Sequence, residues 1–325
     1  MAFQSCSNSK REIPTHPDSP IFKDSAVVVL TRKIEASPQT AKYYYDRGLL
    51  LHRMQQDTFA IRDFEQAAKL DSNRAEYFSA VGDLMFEHKD LSGSLSWIQR
   101  AVQLNPNDPT ARLKIAKLFV FTKEYPKAFS EINIVLRQNA MNSEAYFLKG
   151  LIYKDLKDSS KAISSFQTAI QVDPSYTPAM VQLGSIFAKQ RNPIALKYFE
   201  NAFKADTSDV FPLYAKGMYY QEKEMPEDAK NEYRIAIAHN KNYDKAYFAI
   251  GFILMQQDSI EQALQQFDKV TGINPTDAKA YYNRGLCQEL LGKKAEALLD
   301  YKQALNFDRN YAEAEAAIKR LKNKN

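Results

Sequence analysis

Glycine, cysteine and tryptophan are scarce in this chain of 325 residues, which has ten glycines, two cysteines and one tryptophan. Two cysteines, Cys6 and Cys287, are too few for the disulfide framework of a small secreted domain. No run of about 18 or more apolar residues occurs, so the sequence predicts no membrane-spanning helix. A phosphate-binding glycine loop and the HExxH, CxxC and GxSxG motifs are also missing, which argues against the enzyme classes that depend on them.

An excess of charge of one sign is missing as well, because 44 basic and 39 acidic residues are interspersed and leave a net charge of +5. Nucleic-acid-binding proteins more often carry a basic stripe. The four histidines occupy unrelated positions, and none has a partner at metal-ligand spacing along the sequence. We therefore expect no enzyme activity, no cofactor, no metal site and no nucleic-acid partner. Cys287 is expected to be a small buried hydrophobe.

The few glycines recur at an interval of 34 residues, with a single step of 33. A repeat of this length predicts a stack of identical supersecondary units. Such stacks usually serve as binding surfaces. The column consists of Gly48, Gly82, Ala116 in place of glycine, Gly150, Gly184, Gly217, Gly251 and Gly285.

Other columns share this period and indicate two amphipathic helices in each repeat. In the first repeat, bulky Tyr44 and Leu51 flank the glycine, and small Ala60 and large Phe64 follow. Offsets of three and four residues place side chains on one helix face. The glycine column then marks the point where the two helices of a repeat approach closely.

These columns, Tyr44, Gly48, Leu51, Ala60, Phe64 and Ala67 with their counterparts, resemble the tetratricopeptide repeat (TPR) pattern. The resemblance covers 41–311 as eight units that begin near 41, 75, 109, 143, 177, 210, 244 and 278. It implies an all-α fold, a right-handed superhelical solenoid of helix-turn-helix repeats.

The chain departs from the family pattern in two places. A residue is missing near Asn192, which is expected to shorten the turn between the helices of the fifth unit. The column before the glycine, where leucine is usual, holds several cations whose stems are expected to cover apolar surface while their heads reach water. These are Arg47, Lys149, Lys216 and Arg284.

The two ends resemble caps. Residues 1–20 contain three prolines without periodicity and are predicted to be a flexible tether. Residues 21–40 are predicted to form a capping helix with Ala26, Leu30 and Ile34 in the register of a second helix. Residues 312–325 have apolar side chains on one face, as a terminal capping helix requires.

Within the tether, Ser5 and Cys6 resemble the lipid-attachment boundary of bacterial lipoproteins, although the apolar region that should precede them is absent. Two alternatives stay open. Either the chain is a shortened form of an exported lipoprotein attached to the membrane through Cys6, or Met1 is the true start and Cys6 is an incidental thiol.

The resemblance implies a non-catalytic scaffold that binds a peptide or partner protein in a concave groove. In the family this groove is lined by the positions three before, one after and four after the glycine. In the last three units these positions are largely aromatic or methionine, which is typical of peptide anchors. An alternative is that aromatic residues three before the glycine pack between helices. The predicted groove residues are Tyr214, Met218, Phe248, Phe252, Met255, Tyr282 and Leu286.

The cellular setting follows from the same alternatives. A lipoprotein would serve a bacterial cell-envelope assembly in secretion, motility, pilus or outer-membrane biogenesis, and it would be lipid-anchored on the periplasmic face. The alternative is a cytoplasmic adaptor or co-chaperone. No unit has the Lys and Asn pair with which relatives clamp a carboxylate tail, as Tyr45 and Leu49 illustrate in the first. The sequence names no partner, pathway or oligomeric state.

Overall fold

Residues 20–323, which a computed structural model describes, are helical in all their regular elements. A 3₁₀ turn at Pro20–Lys23 precedes a single helix, and helices then follow in pairs up to a last single helix. The predicted all-α fold of helix-turn-helix repeats is confirmed. The helices are α1 (Ser25–Ala36), α2 (Ala41–Arg53), α3 (Asp57–Leu70), α4 (Ala75–Glu87), α5 (Leu91–Leu104), α6 (Pro109–Phe121), α7 (Tyr125–Gln138), α8 (Ser143–Asp155), α9 (Ser159–Val172), α10 (Thr177–Lys189), α11 (Ile194–Ala205), α12 (Phe211–Glu222), α13 (Pro226–His239), α14 (Asp244–Gln256), α15 (Ile260–Ile273), α16 (Ala278–Leu290), α17 (Lys294–Phe307) and α18 (Ala312–Asn323).

The chain divides into two compact units between Ala140 and Met141. The first unit contains α1 to α7, and the second contains α8 to α18. Inside each unit every helix packs against the next one along the chain, and the two helices of a repeat make the more extensive contact.

The glycine column lies where the two helices of a repeat approach most closely. A Cβ atom added to Gly48 would lie 2.6 Å from Cε1 of Phe64 on the second helix, and one added to Gly150 would overlap Phe166 in the same way. Because real Cβ contacts are almost never that short, the paired helix could not keep its position beside a larger residue. The predicted close approach is therefore confirmed.

Helix α1 buries a different face from the one predicted. Its buried residues are Val27, Thr31 and Ile34, whereas Ala26 is exposed and Leu30 is half-buried. The Thr31 hydroxyl donates to the Val27 carbonyl at 2.8 Å and accepts from Arg47 Nη1 at 3.1 Å. The contact with Arg47 holds the Thr31 side chain in the interior. A pattern of apolar residues alone does not predict that a threonine is buried there.

Three of the four cations before the glycine are paired with carboxylates inside the structure, so the expectation that their heads reach water is wrong for these three. Arg47 Nε and Nη2 donate to the two carboxylate oxygens of Asp63 at 2.6 and 2.7 Å, and both side chains are about nine-tenths buried. The equivalent pairs, with the carboxylate also 16 residues later, are Lys216 with Glu232 at 2.7 Å and Arg284 with Asp300 at 2.6 Å. Lys149 differs, since its ammonium lies 5.8 Å from the centre of the Tyr146 ring.

The missing residue of the fifth unit is taken from the helix and not from the turn. Helix α11 has 12 residues, whereas α9 has 14, and it begins directly after Pro193. Proline has no N–H group and a fixed φ, so it suits the start of a helix and not its interior. The expected shortening of the turn is therefore wrong.

Each turn between paired helices contains one residue with a left-handed backbone, seven positions after the glycine column. In the last repeat this residue is Gly292, with φ of 78°. The other seven are not glycine, with φ between 55° and 64°, although side chains disfavour this region. They are Gln55, Lys89, Lys123, Lys157, Arg191, Glu224 and Asp258. Because the residue types in this column vary, the sequence pattern does not reveal it.

Two glycine substitutions should therefore have opposite effects on stability. Gly292→Ala should lower the free energy of unfolding by about 1 kcal/mol, because alanine is strained at positive φ. The control, Gly272→Ala near the end of α15, should raise it by about 0.5 kcal/mol, because a Cβ there meets no atom within 4 Å and alanine favours the helix. Urea denaturation of both variants measures the difference. If both variants changed the free energy of unfolding in the same direction, Gly292 would not have the left-handed backbone described here.

Candidate functional site

Helices α12 and α14, both in the second unit, line a pocket of about 490 Å³. Four of the seven predicted groove residues meet there, two from each helix: Tyr214, Met218, Phe248 and Phe252. The other lining residues are Gln221, Glu222, Tyr233 and Ala249.

Met218 and Phe252 are the exposed apolar members of this pocket, with 42% and 41% of their surface accessible. Each directly follows its glycine, so both occupy the same position in consecutive repeats. Contact with water is unfavourable for large apolar side chains, and covering them lowers the free energy. Two of them beside one pocket form a surface that another apolar group would cover favourably.

Tyr214 and Phe248 have a packing role in addition to lining the pocket. Both are half-buried, and their ring centres lie 5.4 Å from those of Tyr233 and Phe267 respectively. Tyr214 also lies 5.7 Å from Tyr243, which follows α13. These distances suit favourable aromatic pairs. The alternative proposed for this column, packing between helices, thus describes a real part of their environment, and the rings form fixed walls.

The pocket also contains Tyr233, which the sequence analysis placed only in the core. Tyr233 is fully buried, and its hydroxyl donates to Gln221 Oε1 at 3.0 Å. Burial raises its pKa above the ordinary value, so the phenol keeps its proton. The eighth repeat has a similar pair, in which the Tyr301 hydroxyl donates to Glu289 Oε2 at 2.8 Å. The sequence signal for these hydroxyl contacts was tyrosine at a position where the other repeats have phenylalanine or isoleucine.

The three remaining predicted residues do not line the pocket. Met255 is half-buried against the core of the second unit, and Leu286 is half-buried on α16. Tyr282 is wedged between Tyr301 and Tyr311, with ring centres 5.6 and 5.1 Å away.

Beyond Leu286, the face of α16 is occupied by the last helix. Arg320 of α18 donates to both carboxylate oxygens of Glu289, from Nε at 3.0 Å and from Nη2 at 2.6 Å. The exposed apolar residues of the predicted groove, Met218 and Phe252, thus lie on α12 and α14. The contact between Arg320 and Glu289 lies on the neighbouring α16.

The structure brings two histidines together that the sequence places 36 residues apart. In the first unit His52 Nδ1 lies 2.8 Å from one oxygen of Asp57, and His88 Nε2 lies 3.1 Å from the other. Spacing along the sequence did not indicate this proximity, and both imidazoles are hydrogen-bonded. Adjacent repeats stack in register, so residues one period apart become neighbours.

Of the two cysteines, the structure describes only Cys287. Cys287 is fully buried, as predicted, and burial raises the pKa of its thiol to about 12, so it is a poor nucleophile at neutral pH. Cys6 lies outside the described residues. Within residues 20–323, every helix is too short or too polar to cross a bilayer.

Three family models described as tetratricopeptide repeat match the chain. The first matches residues 278–318, the second matches 41–74 and 143–176, and the third matches 59–109 and 214–278. Together these ranges make up more than half of the sequence, and they coincide with the paired helices. The chain belongs to the tetratricopeptide repeat family, whose members bind peptides or proteins.

Curated relatives share the repeats at low identity. The chain is 23% identical over 247 residues to anaphase-promoting complex subunit 3 of Schizosaccharomyces pombe, covering 75% of this chain and 37% of that protein. It is 22% identical over 287 residues to human DnaJ homolog subfamily C member 7, and the match covers 79% of this chain and 57% of that protein. Protein O-mannosyl-transferase TMTC3 of Homo sapiens is 20% identical over 273 residues, and the match covers 77% of this chain and 30% of that protein. The chain thus spans less than two thirds of each relative.

Solved structures share the fold. Yeast Tom70 aligns with a TM-score of 0.61 and 15% identity, covering 82% of this chain and 60% of that one. The C-terminal part of a TPR repeat-containing protein from Cytophaga hutchinsonii aligns with a TM-score of 0.54 and 19% identity, covering 73% and 98%. At this identity the likeness extends to the fold alone.

Proposed function

We propose that this protein is a non-catalytic scaffold that holds an apolar or amphipathic segment of a partner protein in the pocket between α12 and α14. The observation that carries the proposal is the pair Met218 and Phe252. These side chains are exposed on consecutive repeats and stand beside a pocket whose walls and floor are aromatic. Aromatic and methionine side chains dominate the binding energy of many protein interfaces.

The lining of the pocket defines the chemistry of the segment. Tyr214, Tyr233 and Phe248 are held by packing, so they supply a surface that needs little ordering when a ligand binds. Gln221 and the exposed Glu222 add polar groups at the rim. We infer that the segment inserts one or two apolar side chains and places a hydrogen-bond donor or a cation towards Glu222.

Binding should weaken when either exposed anchor is truncated. Peptides selected against the full chain from a displayed random library supply the ligand, and fluorescence anisotropy measures its affinity. Phe252→Ala and Met218→Ala should each weaken binding by about 1–2 kcal/mol, roughly 5–30-fold, because they remove apolar contacts made only in the complex. Circular dichroism verifies that both variants stay folded.

The matched control is Phe121→Ala in the first unit, where the ring is 66% exposed and far from the pocket in sequence. This variant should bind the selected peptide with unchanged affinity. Peptides that bind the Phe252→Ala and Met218→Ala variants as tightly as the original chain would show that binding occurs elsewhere.

The relatives support an adaptor or co-chaperone as one setting for this scaffold. Several carry the name DnaJ homolog subfamily C member 7, and the chain covers 44–57% of their lengths. A repeat array of this kind would present clients or partners without a carboxylate clamp. The groove positions Tyr45 and Leu49 cannot supply the cation and amide of such a clamp.

The second setting is a bacterial cell-envelope assembly, in which a lipid on Cys6 anchors the chain at the periplasmic face. This proposal rests on the Ser5-Cys6 pair of the sequence alone. A single acyl chain holds a protein weakly, whereas several hold it firmly. Intact-mass measurement of the protein purified from its own host decides between a lipidated Cys6 and an unmodified one.

A further inference from the structure

A second group of chemically active side chains lies in the first unit, where the ends of three helices, α2, α3 and α4, meet. His52 stands near the end of α2 and Asp57 begins α3, while Glu87 ends α4 and His88 follows it. Asp57 contacts both imidazoles. The ligand atoms of His52, Asp57 and Glu87 all lie within 4.8 Å of one another. Three of these side chains, from consecutive repeats, thus have their ligand atoms close together, and His88 joins them through its contact with Asp57.

We propose that these four side chains form a binding site for a divalent transition-metal ion, with Zn²⁺ as the ion that suits them best. Zinc takes imidazole nitrogen and carboxylate oxygen as ligands at roughly 2.0–2.2 Å, which sets neighbouring donor atoms roughly 3 Å apart. The two contacts of Asp57 with the imidazoles, at 2.8 and 3.1 Å, already have that separation. Magnesium and calcium prefer all-oxygen sites, so the two imidazoles favour zinc over them.

The charges of the cluster also fit a divalent cation. Glu87 is the last residue of α4, where the helix dipole disfavours an anion. The two carboxylates, Asp57 and Glu87, supply negative charge that one divalent ion balances, and the imidazole nitrogens are neutral ligands when they bind a metal.

The site is accessible from solvent and would join two repeats. The side chains of His52 and His88 are 39% and 52% exposed, so an ion can enter without unfolding of the helices. His52 and Asp57 belong to the first repeat, whereas Glu87 and His88 belong to the second. A bound ion would therefore hold the two repeats together, and the folded chain would gain stability because the unfolded chain lacks the assembled site.

Calorimetric titration of the untagged, chelator-treated full chain with ZnCl₂ tests the site, and thermal melting with and without Zn²⁺ gives a second measurement. We expect one equivalent of Zn²⁺ to bind and the melting temperature to rise. His52→Gln and His88→Gln should each weaken binding by about tenfold or more and reduce the rise. Glutamine keeps a polar side chain of similar reach, so these variants should fold. Replacing Zn²⁺ by Co²⁺ should give the visible absorption of a site with nitrogen and oxygen ligands.

The matched control is His239→Gln, whose imidazole packs against Phe203 in the second unit, 4.9 Å between ring centres. It should bind Zn²⁺ like the original chain. Absence of Zn²⁺ binding would overturn the proposal and leave the cluster as a carboxylate bridge between two histidines. Equal binding by the original chain and both cluster variants would place the ion elsewhere and overturn it too. Tighter binding of MgCl₂ than ZnCl₂ would refute the choice of ion.

Discussion

Asp63→Ala is expected to lower the free energy of unfolding by about 3–5 kcal/mol, because it leaves the Arg47 guanidinium buried without its carboxylate partner. Arg47 donates two hydrogen bonds to Asp63 and one to Thr31, and only 8% of the Arg47 surface is accessible. Water cannot replace the lost partner at such a site. Urea denaturation followed by circular dichroism measures the change.

The control for this prediction is a pair of the same charge types at the surface. Lys42 and Asp46 are 2.9 Å apart, with side chains 70% and 32% exposed, and Asp46→Ala should change stability by no more than about 1 kcal/mol. The double variant Arg47→Met with Asp63→Leu removes both charges and should recover most of the loss. If Asp63→Ala were as mild as Asp46→Ala, the Arg47 pair could not be buried as described.

Gly150→Leu is expected to be the second most damaging change, with a loss of about 1–3 kcal/mol or more from overpacking. Even the Cβ atom of the new side chain would overlap the Phe166 ring, which is fully buried and has no space to move into. Thermal melts monitored by circular dichroism measure the effect. Gly272→Leu is the matched control, because a Cβ there meets no atom within 4 Å.

The third repeat provides a compensating pair. Its equivalent positions hold Ala116 and Ile132, both fully buried. Gly150→Ala combined with Phe166→Ile copies this arrangement and should be more stable than Gly150→Ala alone. Equal stability of Gly150→Leu and Gly272→Leu would mean that the helices of the fourth repeat are not in close contact at Gly150.

The sequence was sufficient to predict the fold, because the columns that hold paired helices together recur at one period. Gly48 and Phe64 illustrate this, since their contact depends only on two helices of fixed length joined by a short turn. Buried charges were not predictable in the same way. Arg47 and Asp63 each resemble a surface residue in a pattern of apolar positions, and only their meeting inside the structure makes them a buried pair.

The candidate site was predicted in part. Met218 and Phe252 were identifiable because apolar residues stood at positions that face away from the packing stripe. Tyr233 was missed because its ring belongs to the core, and its hydroxyl finds Gln221 only in three dimensions. The proximity of His52 and His88 was not predictable from spacing along the sequence, because stacked repeats bring together residues about one period apart.

The contact between Arg320 and Glu289 joins α18 to the eighth repeat. Helix α18 begins 34 residues after α16 and is therefore the first half of a ninth repeat. At the position where glycine would admit a second helix it has Lys319, whose side chain is 71% exposed. At the next position, equivalent to Met218 and Phe252, it has Arg320, which binds the chain's own Glu289. At this position α18 thus has a side chain that binds the preceding repeat, whereas α12 and α14 have exposed apolar side chains there.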